Sequence, residues 1–414
     1  MTELDPADLQ LAGIVRAGDR VMWGRACAEP LALTRALMAQ RAAIGRFSAF
    51  IGISLADTVQ PAHADGVDFV SYCGGGLNRA LAGRTCSTSS PRITRNCPSC
   101  SPGRSTCCCC RWRPPAPTAA TACPSPATTV PAIAGARVVI AEVNQQAPAT
   151  FGPHTLGPED IDFFVRSDRP PLELARGKAH PDEAAVARNV ASLVQDGDTI
   201  QHGIGALPDA IVALLADRRE LGLHTGVMGD AAAALVRAGV VTNARKSIDT
   251  GVTVAGVLMG TGELNALADR NPALQLREVR YIHALRTLAA IDNWSPSIRR
   301  SRWTSPAVNT EVADGVYVGA VGGAVDFIRG AGAARNGRPI VALPSRTAGK
   351  GIARIVARLN GPAGAARSDA PIIVTEHGIA DLRGLSLRQR VERMIAVAHP
   401  EDRDALRQAA RPLS

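Results

Sequence analysis

The sequence predicts an α/β protein built as two tandem, similar domains, each a mainly parallel sheet flanked by helices. Three observations carry this. Residues 18–42, GDRVMWGRACAEPLALTRALMAQRA, are echoed by residues 197–219, GDTIQHGIGALPDAIVALLADRR, so that Gly18, Gly24 and Pro30 parallel Gly197, Gly203 and Pro208. Strand-like and helical runs alternate in the C-terminal half, the pattern of a parallel sheet covered on both faces. Between the halves lies a polar, proline-bearing connector, SDRPPLELARGKAHPDE. It divides residues 1–166 from residues 184–414 and leaves 167–183 as linker. At 414 residues the chain is long enough for two separate cores.

In the first domain, strands are expected at RVMW (20–23), near SAFIGIS (48–54), at DFVSY (68–72) and at ARVVIAEV (136–143). Its remaining strands would fall inside 86–130, which leaves the core incomplete as the residues stand. In the second domain, GVTVAGVLM (251–259), GVYVGAVGG (315–323), RPIVAL (338–343) and APIIVT (370–375) read as strands, and AAAALVRAG (231–239) and RQRVERMIAVA (388–398) as helices. In the echoed units, glycine permits a tight strand-to-helix turn and proline suits the first helical turn. The free N–H groups at that helix start can receive an anion. Ligands of such sheets bind at the carboxyl ends of the strands.

Two stretches break the pattern. Residues 86–130 turn to Cys, Ser, Pro, Thr and Arg with no acidic residue, and residues 294–307 read WSPSIRRSRWTSPA. Of the net charge of +9, eight charges come from Arg92, Arg95, Arg104, Arg111 and Arg113 in the first stretch and Arg299, Arg300 and Arg302 in the second. The rest is near neutral, as expected of a metabolic enzyme rather than a nucleic-acid binder. Eight of the ten cysteines also lie in the first stretch. Cys97 and Cys100 form a CxxC, but four consecutive cysteines, Cys107 to Cys110, cannot converge on one ion, and no histidine lies nearby. A zinc or nucleic-acid module therefore ranks last, and no metal site is expected. Cys27 and Cys73 read as small buried hydrophobes.

Reading the encoding DNA one base earlier restores sense to both stretches. Ser295 to Ala307 can then give V-A-I-N-S-A-L-E-V-D-L-T-G, Ser90 to Ser101 can give L-P-S-H-Y-S-E-L-P-E-L-F, and Cys107 to Pro114 can give V-V-L-L-Q-V-A-P. The Glu codon of the first string would combine the last base of a TCG for Ser301 with the first two of an AGG for Arg302. Both segments are thus expected to be out of frame through a sequence error or gene decay.

The polar, acidic start MTELDPADLQLAG has no secretory pattern, and no run of eighteen apolar residues occurs. The expectation is a cytoplasmic protein with no membrane partner.

Six motifs in order, FVSYCGGGLNRALAG (69–83), GDTIQHGIGALPDAI (197–211), GVYVGAVGGAVDFIRGA (315–331), RPIVALPSRTAGKGIARIV (338–356), VTEHGIADLRG (374–384) and AHPEDRDAL (398–406), together resemble the acetyl-CoA hydrolase/transferase family, including its butyryl-CoA:acetate and four-hydroxybutyrate CoA-transferases. The resemblance covers nearly the whole chain outside the two broken stretches and implies a CoA-transferase type of fold. It also implies transfer of CoA between a short-chain acyl-CoA and a carboxylic acid, or hydrolysis of acetyl-CoA. A glutamate attacks the acyl carbonyl to give a mixed anhydride and CoA thiolate. The thiolate then attacks the glutamyl carbon, and the enzyme thioester passes CoA to an acceptor acid or to water. That glutamate is expected at Ser301/Arg302 and is absent as the chain stands.

The resemblance further makes the backbone of Gly378 the candidate oxyanion donor, with Ile379 and Ala380 lining the pocket. The alternative is a plain strand-to-helix turn. Gly319, Gly322 and Gly323, with Asp326, look like the family's CoA-cradling turn, although a lone GxxGG is common. Gly203 and Gly205 would face the same cleft, with the helix after Pro208 offering its positive end; the alternative is tight strand-to-helix packing. Asp381 and Arg383 read as a local ion pair. Glu311 and Glu376 are poor substitutes for the nucleophile, Glu311 because it falls about nine residues, tens of ångströms along a strand, past the right place. His202, His224, His377 and His399 show no triad or metal spacing. CoA is expected as a substrate with no permanent cofactor, and the family suggests a homodimer. A non-catalytic CoA binder is the competing reading of the whole chain.

Overall fold

The computed structural model describes residues 1–71, 76–82, 107–112, 132–175, 177, 179–299, 302–303, 308–309, 312–313, 316–317, 322–359 and 363–410. The chain forms two compact units: Met1–Ala175 with Val254–Ile282 and Val318–Gly322, and Arg176–Thr253 with His283–Tyr317 and Gly323–Ser414.

The first unit holds a sheet of seven strands: β1 (Thr2–Leu4), β2 (Arg20–Trp23), β3 (Phe47–Ile51), β4 (Val67–Ser71), β5 (Cys107–Trp112), β6 (Val138–Asn144) and β7 (Phe163–Ser167). They are ordered β1-β7-β6-β5-β2-β3-β4 and all pair in parallel. The run VVIAEV, apolar except for the buried Glu142, lets β6 bury both faces. Val138 and Ile140 join Val21, Trp23, Leu33 and Leu37 in one core, the last two from helix α1 (Leu31–Ala39), while Val139, Ala141 and Val143 join a second core on the other face. The strand expected inside 86–130 is β5, and it lies between β2 and β6.

In the second unit the strands β8 (Thr199–His202) and β9 (Gly222–Thr225) follow two helices of the alternating pattern, α2 (Pro181–Ala191) and α3 (Ala206–Ala213). Next in the chain come β10 (Thr253–Ala255) and β11 (Leu274–Leu276), which from Val254 onwards lie in the segment Val254–Ile282 of the first unit, and then β12 (Trp294–Arg299) of the second. Two short antiparallel pairs follow, β13 (Arg302–Trp303) with β14 (Val308–Asn309) and β15 (Val312–Ala313) with β16 (Val316–Tyr317). After helix α4 (Ala324–Ala333) come β17 (Ile340–Ala342), β18 (Ile372–Thr375), β19 (Gly378–Asp381) and helices α5 (Leu387–Ala396) and α6 (Arg403–Ala410). The sheet of this unit runs β9-β8-β12-β17-β18-β19, parallel except for the last pair. Helix α2 packs its Val186, Ala187 and Val190 against Ile340, Ala342, Ile372 and Val374. The strand read at 315–323 is confined, among the described residues, to Val316–Tyr317. Helix α3 starts at Ala206, so Pro208 stands inside its first turn.

The repeat seen in the sequence extends to an ion pair in each unit. Gly18 and Gly197 both have positive φ, +83° and +79°, and each is followed by a buried aspartate. Asp19 accepts from the Arg16 backbone N–H at 2.9 Å and pairs with Arg137 at 2.7 Å. Asp198 accepts from the Gln195 backbone N–H at 2.8 Å and pairs with Arg338. Arg137 leads into β6 and Arg338 leads towards β17, so each pair ties the strand on one side of β5 or β12 to the strand on its other side. The two strands of foreign composition therefore hold equivalent places, each between two parallel neighbours.

Such a place suits apolar residues, yet Ser295, Pro296 and Ser297 are buried in β12. Ser295 finds a partner in Arg338, whose Nε donates to its Oγ at 3.1 Å. Pro296, opposite Gln201 in β8, has no N–H to give to the ladder. Replacing Pro296→Ala is expected to raise the unfolding free energy by about 1 kcal/mol, one ladder hydrogen bond; a lower denaturant midpoint would contradict this. His202, the last residue of β8, is buried, and burial holds its pKa below the ordinary imidazole value. A base with a depressed folded pKa contributes stability that is present above the unfolded pKa of about 6.5 and is lost as pH falls below it. Stability is expected to decline on that acid side, and His202→Asn to flatten the decline; an unchanged slope would exclude His202 as its source.

Candidate functional site

The carboxyl edge of the second sheet gathers the turns that the sequence singled out. Strands β9, β8, β12, β17 and β18 all point their carboxyl ends the same way. Gly203 follows β8 directly, and Gly205, at φ +111°, is the N-cap of α3. The register sets Ser297 of β12 opposite His202 on one side and Ile340 on the other, and Arg299 opposite Ala342. Position 302, where the nucleophile is expected, thus follows a strand one spacing, about 4.8 Å, from the strand that carries Gly203. Ser301 lies outside the described residues, as do Gly319 and Glu311. Arg302 opens β13, opposite Asn309.

Gly203 is not a glycine for packing reasons. A Cβ there would meet only Pro208 Cγ at 3.6 Å, an ordinary contact. Within the turn that follows β8, the close-packing alternative therefore has little support at this position. His202 fixes the turn from below: with the Gly203 carbonyl as acceptor at 2.8 Å, its Nδ1 carries the proton.

Gly378 stands elsewhere on the edge. The turn TEHG joins β18 to β19 as a two-residue hairpin, with Thr375 opposite Gly378, and so leads to a strand rather than to a helix. Gly378 has φ +136°, a value L-residues rarely adopt, and no protein atom lies closer than 4.0 Å to where its Cβ would be. Strand β19 is three spacings, about 14 Å, from β12 across the sheet. A carboxylate past the end of β12 meets the Gly378 amide only where the chain leans across β17 and β18, whereas the Gly203–Gly205 turn is its immediate neighbour. Ile379 and Ala380 face opposite sides of β19, Ile379 exposed and Ala380 fully buried, so their side chains do not line one wall together.

Glu376, the hairpin's first turn residue, is tied down. Its carboxylate accepts from the Ser345 backbone N–H at 2.8 Å and from the Ser345 hydroxyl, and His377 Nε2 stands 3.4 Å away. It joins the loop after β17 to the hairpin after β18, a bracing role. Asp381 and Arg383 form the local ion pair, at 2.7 Å.

Within the GAVGGAVDF run, a turn at Gly322 and Gly323 opens α4. Gly322 has φ +56° with nothing within 4 Å of a Cβ. Gly323 is glycine for another reason: a Cβ there would fall 1.9 Å from His283 Cε1 and 2.1 Å from its Nδ1. The same imidazole lies against Gly226, just past the carboxyl end of β9, where a Cβ would be 3.3 Å from Nε2. His283 thus holds the start of α4 at the same sheet edge as Gly203. No motif or spacing in the sequence marked it.

Among the described residues no three His, Cys, Asp or Glu side chains gather as a metal site, and no helix is long and apolar enough to cross a membrane. Cys97 and Cys100 lie outside the described residues.

Residues 260–410 match the family model described as the acetyl-CoA hydrolase/transferase C-terminal domain. The 4-hydroxybutyrate coenzyme A transferase of Clostridium kluyveri is 38% identical over 283 residues, 67% of this chain and 66% of that protein. The chain thus spans about two thirds of that curated relative's length. Among solved structures, RipA from Yersinia pestis is 30% identical with a TM-score of 0.91, covering 96% of this chain and 95% of that one. A 4-hydroxybutyrate CoA-transferase from Porphyromonas gingivalis is 27% identical with a TM-score of 0.79, covering 97% and 95%. On the strength of the ordered motifs, the paired sheets and these likenesses, the chain belongs to the acetyl-CoA hydrolase/transferase family.

Proposed function

We propose that this chain descends from an enzyme moving CoA between short-chain acyl-CoA and a carboxylic acid, or hydrolysing acetyl-CoA, and that as it stands it lacks the nucleophile. The observation that carries the reading is the arrangement of the carboxyl edge. The Gly203–Gly205 turn adjoins the end of β12, the Gly323 start of α4 and the Gly378 hairpin lie further along the same edge, and the residues following that strand supply no carboxylate where the chemistry needs one. Glu376, the alternative carboxylate on this edge, is held by Ser345.

The burial of β12 supports the frame reading from a second direction. A strand enclosed by β8 and β17 favours the Val, Ala and Ile of the alternative frame over Ser295, Pro296 and Ser297, and β5, between β2 and β6, favours Val and Leu over four cysteines. In the restored chain, the glutamate would attack the acyl carbonyl with departure of CoA thiolate. The thiolate would then displace the acyl carboxylate from the glutamyl carbon, and backbone N–H groups of the glycine turns would stabilise each oxyanion. Whether the thioester then meets an acid or water decides between transferase and hydrolase. A cytoplasmic homodimer is the assembly proposed.

A second reading, a CoA binder without catalysis, is favoured by the intact turns at Gly203, Gly205 and Gly323. The two readings agree that the present chain turns nothing over. Purified full-length chain is expected to show no exchange of CoA between butyryl-CoA and acetate above the uncatalysed background, and a chain with both segments restored to show it. Equal activity in the two would overturn the role assigned to the missing glutamate.

A further inference from the structure

We propose that His283 is a positioning residue for the CoA-holding turn at the start of α4, acting without touching CoA. The inference rests on the reading of that turn as a CoA cradle.

The imidazole of His283 is buried and wedged between two backbones. On one side is Gly323, where a methyl group would sit 1.9 Å from its ring; on the other is Gly226, where the corresponding distance is 3.3 Å. Asp326, in the first turn of α4, brings Oδ2 to 3.7 Å from Nδ1, and Phe327, the next residue, stacks obliquely on the ring at 4.5 Å between centroids. Phe327 in turn packs on Trp294, the first residue of β12, at 6.1 Å.

The ring therefore meets the first turn of α4 at three points: its N-cap backbone, the Asp326 carboxylate and the Phe327 ring. It also meets the loop after β9. The free N–H groups of a helix start aim along the helix axis, so the direction in which α4 can receive a phosphate is set by whatever fixes its first turn. Here His283 is that support, linking α4 to the sheet edge that carries Gly203. A smaller side chain would leave the turn free to shift, and a misplacement of order 1 Å at a binding or reacting group can cost up to about a hundredfold.

The test is calorimetric titration of coenzyme A into the full-length chain and two variants, with a melting curve for each. His283→Ala removes the wedge. His283→Asn keeps an amide nitrogen near the place of Nδ1, facing Asp326. The expected result is that His283→Ala weakens CoA binding by about tenfold or more, whereas His283→Asn stays within about threefold of the unsubstituted chain. A merely structural role would lower the melting temperature of both variants and leave the affinity of the folded fraction unchanged, and that result would overturn the proposal. Binding by the unsubstituted chain with no loss in His283→Ala would do the same while leaving the cradle reading intact. No binding by the folded, unsubstituted chain would remove the cradle reading and this inference with it.

Discussion

Each sheet depends on a strand enclosed on both sides and bracketed by one ion pair. Asp19 and Arg137 span the place of β5, and Asp198 and Arg338 span that of β12. In both units a glycine in the left-handed region turns the chain so that the aspartate also accepts from the backbone three residues earlier. A bracket of this kind fixes the spacing and register of the enclosed strand, and the surrounding layers dictate an apolar one. The enclosed strands are nonetheless the two whose residues are least suited to the position: four cysteines in β5, and a buried Ser-Pro-Ser in β12. The proposed one-base change of reading frame can supply apolar residues at both, which would tie the oddity of composition to a single physical requirement.

The same enclosure places the chemistry. Because β12 runs parallel between β8 and β17, whatever follows Arg299 emerges at the carboxyl edge beside the Gly203–Gly205 turn. A carboxylate there would stand at the centre of a row of backbone turns, from the start of α4 and the loop after β9 on one flank to the Gly378 hairpin on the other. The sheet spacing ranks these turns by reach, with the one after β8 nearest and the hairpin farthest. Glu376 is a poor candidate for the nucleophile's part, because its carboxylate already accepts from the Ser345 backbone N–H and hydroxyl.

Much of this was legible in the sequence. The echo of Gly-Asp, strand, glycine and proline gave two similar units, because the residues that make a tight strand-to-helix turn are few and their spacing is fixed by the strand's length. The alternation of apolar runs gave the parallel sheets. What stayed hidden was long-range. The hairpin at Gly378 reads as a strand-to-helix turn because GIAD is too short to show a strand's periodicity, and only its pairing with β18 defines it. His283 lies forty residues before Gly323, so no local pattern could show that Gly323 must be glycine to accept its ring. Arg137 and Arg338 were likewise unmarked, although their positions just ahead of equivalent strands repeat as faithfully as the glycines do.

The central claim, that a glutamate belongs where Ser301 and Arg302 stand, is tested most directly by sequencing the encoding DNA across residues 86–130 and 294–307. The account predicts a TCG codon for Ser301 followed by an Arg302 codon beginning AG, together with an inserted or deleted base flanking each segment relative to an uninterrupted frame. A Ser301 codon ending in any base but G, or an Arg302 codon beginning CG, would contradict it.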